Sequence, residues 1–262
     1  MRLFDRFRKR ATRSMSIRLY HGSTTRFSDP KVDRNRGPCD FGPGFYATED
    51  YKRAYERALE TMEAEGSDTG YVMEFIFEDE RIPKGSIRIL HFRKDEEWLR
   101  FVRDNRNGIS TGDFDLAIGP SADGIVEEII GKLDSHGSLQ FDDIANLVRE
   151  LADNHYGEQY CFRNQDLVDS FIRPGRVSII GEDMSELEPD MVSEYVLGAF
   201  AEAHGMRIGE ARAYLDQYGT FDYLRRSYTA YAHMMSPQMV SSLRAYIERQ
   251  GGTCPPMVCT DI

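Results

Sequence analysis

Three short stretches hold the side chains best placed for chemistry: Leu19-Tyr20-His21-Gly22-Ser23, Asp40-Phe41-Gly42-Pro43-Gly44-Phe45-Tyr46-Ala47-Thr48, and Glu158-Gln159-Tyr160-Cys161-Phe162. The middle stretch joins two glycines, two aromatics and a small residue ahead of Thr48. It reads as a backbone-exposing turn that runs into a short aromatic strand. Such a turn lets main-chain N–H groups and a ring face approach a flat polar ligand closely. In the last stretch Glu158 and Gln159 are adjacent, and alternation along a strand lets only one of them face a site.

The elements that must position these residues follow from periodicity and turn chemistry. Ile17–Tyr20 reads as a strand ending at His21-Gly22, Asp29–Pro38 as a loop, and Phe45–Thr48 as a second strand. Thr48 is expected to cap a helix with Glu49 and Asp50 in its first turn, where the macrodipole favours acid. Tyr51, Ala54, Tyr55, Ala58, Leu59 and Met62 recur at helical spacing and form its buried face. Strands are expected at Tyr71–Phe77, Ile87–Phe92, Phe114–Ile118 (ended by Gly119-Pro120), Gln159–Phe162 and Val177–Ile180. Helices are expected at Glu96–Arg106, Gly124–Leu133, Phe141–Asn154 and Gln165–Phe171. Short strands mixed with scattered helices, without regular βαβ alternation, indicate an α+β domain over residues 16–181.

Residues 182–190 are acidic, carry Pro189 and read as a linker. Beyond them, residues 191–252 read as a small all-α bundle with helices at Met191–Ala203, Ile208–Tyr218, Phe221–His233 and Val240–Arg249. Gly205 and Gly219 stand where helices end. Residues 253–262 read as an irregular tail. Residues 1–15 carry six basic side chains against Asp5. They read as a membrane-surface or nucleic-acid arm, as a disordered tail, or as the result of a start assigned too early, with Met15 as the natural beginning.

With 262 residues the chain is long enough to bury a sizeable core. A net charge of −11 argues against broad phosphate-backbone binding, though not against a basic cleft on an acidic protein. No apolar run approaches the ~20 residues of a membrane span. Cys39, Cys161, Cys254 and Cys259 lack zinc spacing, no secretory signal precedes them, and a reduced cytoplasmic setting is the expectation. The histidines show no ligand spacing, so no metal is expected. Asp40-Phe41-Gly42 matches the kinase magnesium tripeptide by letters only, since no kinase lysine or catalytic loop accompanies it. Gly42-x-Gly44-x-x-Ala47 follows no apolar strand, which sets aside a dinucleotide fingerprint.

A His-Gly pair closing a first strand, followed by Gly-x-Gly-Phe-Tyr, resembles the ADP-ribosyltransferase superfamily. More narrowly, the chain resembles a bacterial family of uncharacterised ADP-ribosyltransferase-like proteins marked by DFGxGFY. The resemblance covers most of residues 17–180, through Glu97-Trp98-Leu99, Asn105-Arg106, Asp115 to Asp123, Glu158 to Phe162, and Asp166-Leu167-Val168. It implies a split β-sheet core and an NAD-dependent mono-ADP-ribosyltransferase of toxin or effector type. NAD would be the substrate, and the acceptor of ADP-ribose a protein or a nucleic acid.

By the same resemblance Gly22 supplies a backbone pair for the nicotinamide amide, His21 binds a ribose and Tyr46 stacks on the nicotinamide. Ser23, Gly44 and Phe45 complete the pocket, and Arg36 would clamp the pyrophosphate. Where members of the superfamily carry a glutamate that bonds the ribose 2′-hydroxyl, alignment places Gln159, with Glu158 beside it. A neutral glutamine is a poorer partner for an oxocarbenium-like cation. That leaves three alternatives: transfer, NAD hydrolysis at the same site, and an inactive binding module. The bland alternatives are a core histidine at His21, a core aromatic at Tyr46, a solvated loop at Arg36, a helix cap at Asp123, and ordinary strand residues at Glu158 and Gln159. The helical unit resembles a small family often encoded beside DFGxGFY proteins. This implies an intramolecular or partner-encoded inhibitor, a recruiting arm or a dimerisation module.

Overall fold

The computed structural model describes residues 16–34, 37, 39–93, 95–109, 111–122, 157–181 and 184–258. Its strands are β1 (Ile17–Ser23), β2 (Phe45–Thr48), β3 (Gly70–Phe77), β4 (Ile89–His91), β5 (Leu116–Pro120), β6 (Glu158–Phe162) and β7 (Ile172–Ile180). Its α-helices are α1 (Tyr51–Glu65), α2 (Glu96–Arg106), α3 (Gln165–Phe171), α4 (Pro189–Ala203), α5 (Ile208–Asp216), α6 (Thr220–Ala232) and α7 (Ser236–Arg249). The fold is α+β, as its irregular alternation of strands and helices foretold. The helices expected over 124–133 and 141–154, and Asp123, lie outside the described residues.

The seven strands form one sheet in the order β4-β5-β6-β2-β1-β3-β7, antiparallel except for the β4–β5 pair. Each side of the sheet is laced by long ladders, from Ile17↔Phe77 to Ser23↔Tyr71 between β1 and β3, and from Phe45↔Phe162 to Thr48↔Gln159 between β2 and β6. Between these wings β1 and β2 share one register pair, Tyr20↔Thr48. Beyond it the strands diverge, and the imidazole of His21 reaches across to the Tyr46 carbonyl, with Nδ1 2.6 Å from the oxygen.

One face of the sheet buries an aromatic layer built on Phe45, Phe75, Phe77 and Phe162. Over the other lie α1 and the bundle, whose apolar cluster joins Tyr51, Ala54, Tyr55 and Ala58 to Val192, Val196, Ala199 and Phe200 of α4. A third cluster packs Phe41 beneath Trp98, Leu99 and Val102 of α2. The Trp98 ring N–H donates to the carbonyl of Pro120 at 3.2 Å.

Several boundaries differ from expectation for physical reasons. The N-cap of α1 is Asp50, whose side chain accepts from Arg53 N, and the helix has no acid in its first turn. Thr48 instead accepts from Asp50 N at 3.1 Å and donates to the Glu158 carbonyl at 2.8 Å, tying β2 to β6. Gly119 and Pro120 do not end β5 but pair with Gln159 and Glu158. Pro120 is tolerated because β4 reaches only as far as Ile118, so no neighbour asks for its missing N–H. β7 begins at Ile172 rather than Val177, because Pro174 lies on a sheet edge opposite Phe75.

Candidate functional site

A cleft of about 300 Å³ opens where β1 and β2 diverge. Its walls are Tyr20, His21 and Gly22 of β1 and Arg53, Ala54, Arg57 and Glu60 of α1. Its floor and far rim are Asp40, Tyr46, Thr48, Arg106, Ser121, Glu158 and Gln159. Positions widely separated along the chain therefore meet at one place, and strand register accounts for three of them. In antiparallel pairs facing residues share a side, so Tyr20, Thr48 and Gln159 project together.

The Asp40–Thr48 turn is held by its own side chains. Gly42 N donates to the Cys39 carbonyl at 3.0 Å, and Gly42 adopts a φ of 76°, which only glycine takes without strain. The Tyr46 hydroxyl donates to the Gly42 carbonyl at 2.6 Å and accepts from Phe41 N at 3.0 Å. Burial pushes its phenol far above the usual range, so it remains a neutral donor. Its ring stays half-buried on the cleft side.

Beneath the cleft Asp40 is only 7 % exposed. One of its oxygens, Oδ1, accepts from Nε and Nη2 of Arg106 at 2.9 and 2.6 Å. The other, Oδ2, accepts from Ala122 N at 2.9 Å and from Nε2 of Gln159 at 2.7 Å. Gln159 thus belongs to a polar network around a buried ion pair. Alternation led to the expectation that only one of Glu158 and Gln159 would face the site, but Glu158, at the end of β6, also lines the cleft and lies 3.7 Å from Arg207 of the helical unit, an ion pair at the rim.

Of the residues singled out from sequence, His21, Gly22, Tyr46, Glu158 and Gln159 line the cleft. Ser23, Gly44 and Phe45 do not. The Ser23 hydroxyl accepts from Thr25 N at 3.1 Å in the turn leaving β1, and Phe45 is buried among Phe75, Phe162 and Phe27. A Cβ on Gly44 would lie 2.6 Å from the Cys161 sulfur, so this glycine lets β2 pack on β6. Gly22 is likewise needed by packing, since a Cβ there would lie 1.9 Å from the Ala54 carbonyl oxygen of α1. Arg36 lies outside the described residues.

Asp40 and Arg106 were visible as motif letters, but their roles in the floor were not, nor were those of Arg53 and Arg57. The i, i+4 spacing of the last two on α1 was the available signal. Among the described residues no group of three or more His, Cys, Asp or Glu side chains could hold a metal ion, and no helix is long and apolar enough to cross a membrane.

Comparison with known proteins returned no match among curated proteins and none among solved structures. Residues 17–172, from the first residue of β1 to the first of β7, match a family described as "Protein of unknown function (DUF3990)". That match spans more than half the chain and contains every strand that lines the cleft, and the chain belongs to that family.

Proposed function

We propose that the chain is an NAD-dependent mono-ADP-ribosyltransferase of toxin or effector type, acting in the cytoplasm. It would release nicotinamide from NAD and pass ADP-ribose to a protein or nucleic-acid acceptor, with NAD as substrate and no metal called upon. The observation that carries this reading is the meeting of His21, Gly22, Tyr46 and Gln159, drawn from β1, β2 and β6, around one cleft. The residue types suit the chemistry. A ring face at Tyr46 can hold the nicotinamide flat, and a preorganised polar group at Gln159 can grip a ribose hydroxyl as cationic character develops. The contact of Arg207 with Glu158 favours a regulatory role for the helical unit, as a built-in restraint on the cleft.

Nicotinamide release from NAD by the full chain, with and without cell extract, tests the proposal. Release that depends on extract is expected, falling roughly 10²–10³-fold in Gln159→Ala, the scale of losing one preorganised polar contact in a transition state. Equal release without extract would make the enzyme a glycohydrolase. The neutrality of Gln159 supports a second reading, a binding module of this fold. NAD bound without turnover under either condition would establish it in place of the first.

A further inference from the structure

We infer that Asp40 and Arg106 are a positioning pair that locks the Gln159 amide one way round, so that the floor of the cleft selects a ligand group that donates a hydrogen bond. The inference rests on the cleft being a ligand site, as proposed above, and it fixes what chemistry one point of that site accepts.

Gln159 Nε2 lies 2.7 Å from a carboxylate oxygen of Asp40 and 3.3 Å from the Pro120 carbonyl. Both partners are acceptors only, so the nitrogen side of the amide must face them. The usual ambiguity between the two amide orientations is removed by chemistry. Asp40 cannot turn away to relax the arrangement. Two bonds from Arg106 hold one of its oxygens, Ala122 N holds the other, and Arg106 is itself anchored by a bond from Nη2 to the Ala122 carbonyl at 2.7 Å. Neither Gln159 bond uses Oε1, which is the side of the amide left to the cleft that Gln159 lines. A ligand hydroxyl or N–H finds an acceptor there. A phosphate or carboxylate oxygen meets a lone pair and is disfavoured. The other charged groups facing this point are Arg53, Arg57 and Glu60 of α1 and Glu158 at the rim.

The test is made on the full chain without ligand. Gln159→Glu sets a second carboxyl beside Asp40, and two carboxyls at hydrogen-bond distance must share a proton. Followed by carbon-13 NMR, the introduced carboxyl is expected to titrate at least about one unit above the ordinary ~4.3 of glutamate. It should return to or below that range when Asp40→Asn supplies a donor in the same place. An ordinary titration in the single variant would overturn the inference. The native chain gives an independent check. The side-chain amide protons of Gln159, identified by their loss in Gln159→Leu, should exchange with solvent far more slowly than those of exposed glutamines, and equal exchange would also overturn it.

NAD titration separates this inference from the functional reading. Binding to the native chain is expected to be flat from pH 5 to 8, and binding to Gln159→Glu to weaken as pH rises and the shared proton is lost. A raised titration with no NAD binding would sink the NAD reading and leave the positioning pair standing. An ordinary titration with normal NAD binding would do the reverse.

Discussion

Tyr46 serves the turn and the cleft with different parts of one side chain. Its hydroxyl closes the Phe41–Gly42 backbone, and its ring borders the cleft. Tyr46→Phe keeps the ring face but leaves Phe41 N without its acceptor, at a cost of about 1–3 kcal/mol. Urea denaturation should show that loss, while NAD affinity changes less than it does in Tyr46→Ala. At this scale the sequence was legible where a residue's own type and its neighbouring glycine mark its place. A histidine before a glycine and a tyrosine after a glycine turn both reached the cleft. Phe45 did not, because β2 alternates and its odd positions enter the aromatic layer. The role of Asp40 was hidden because its partners Arg106 and Gln159 lie 66 and 119 residues away, and no local pattern encodes such a meeting.

Helix α1 links the cleft wall to the bundle, and its start carries a pH dependence. Asp50 caps it while packed against Gly198 of α4, where a Cβ would stand 2.4 Å from the carboxylate. Burial raises the Asp50 carboxyl to about 6, from an ordinary 3.8. The folded chain therefore holds this proton more tightly than the unfolded chain. Its contribution to stability falls as pH rises through the window from about 4 to 6 and stays unfavourable above it. Asn caps as well as Asp does and carries no charge. Asp50→Asn should accordingly flatten the fall in melting temperature between pH 4 and 7 and leave the chain more stable at pH 7, measured by thermal denaturation across that range. Helices α2 and α3 matched their expected spans because capping aspartate or asparagine and apolar spacing mark both locally. Among strands that contain proline or glycine, β5 was expected to end two residues too early and β7 to begin five residues too late, because what permits those residues is a neighbour that stops early or a free edge.

At the scale of the whole molecule, the bundle and the sheet domain share an interior. The linker expected over residues 182–190 is cut short by α4, which begins at Pro189 and covers the apolar face of α1. Tyr55 meets Tyr195 with ring centres 5.4 Å apart, and the buried Lys52 ammonium bridges Glu56 at 2.5 Å and Glu202 at 2.9 Å. A chain ended after Gly181 would bare Tyr51, Tyr55 and Ala58 and leave Lys52 without Glu202. It is expected to be insoluble, or to melt at least ~10 °C below the full chain, as follows from losing several buried contacts of 1–3 kcal/mol each. A soluble fragment with unchanged melting temperature would count against a shared interior. The seam between β1 and β2 has a mechanical meaning of its own. Each wing of the sheet is laced by main-chain ladders, whereas β1 and β2 share one register pair, with the His21 imidazole and the aromatic layer spanning the join from one face. Main-chain pairing is therefore thinnest along one line of the sheet, and that line borders the cleft. Widening the opening there would break fewer main-chain pairings than parting any other two neighbouring strands.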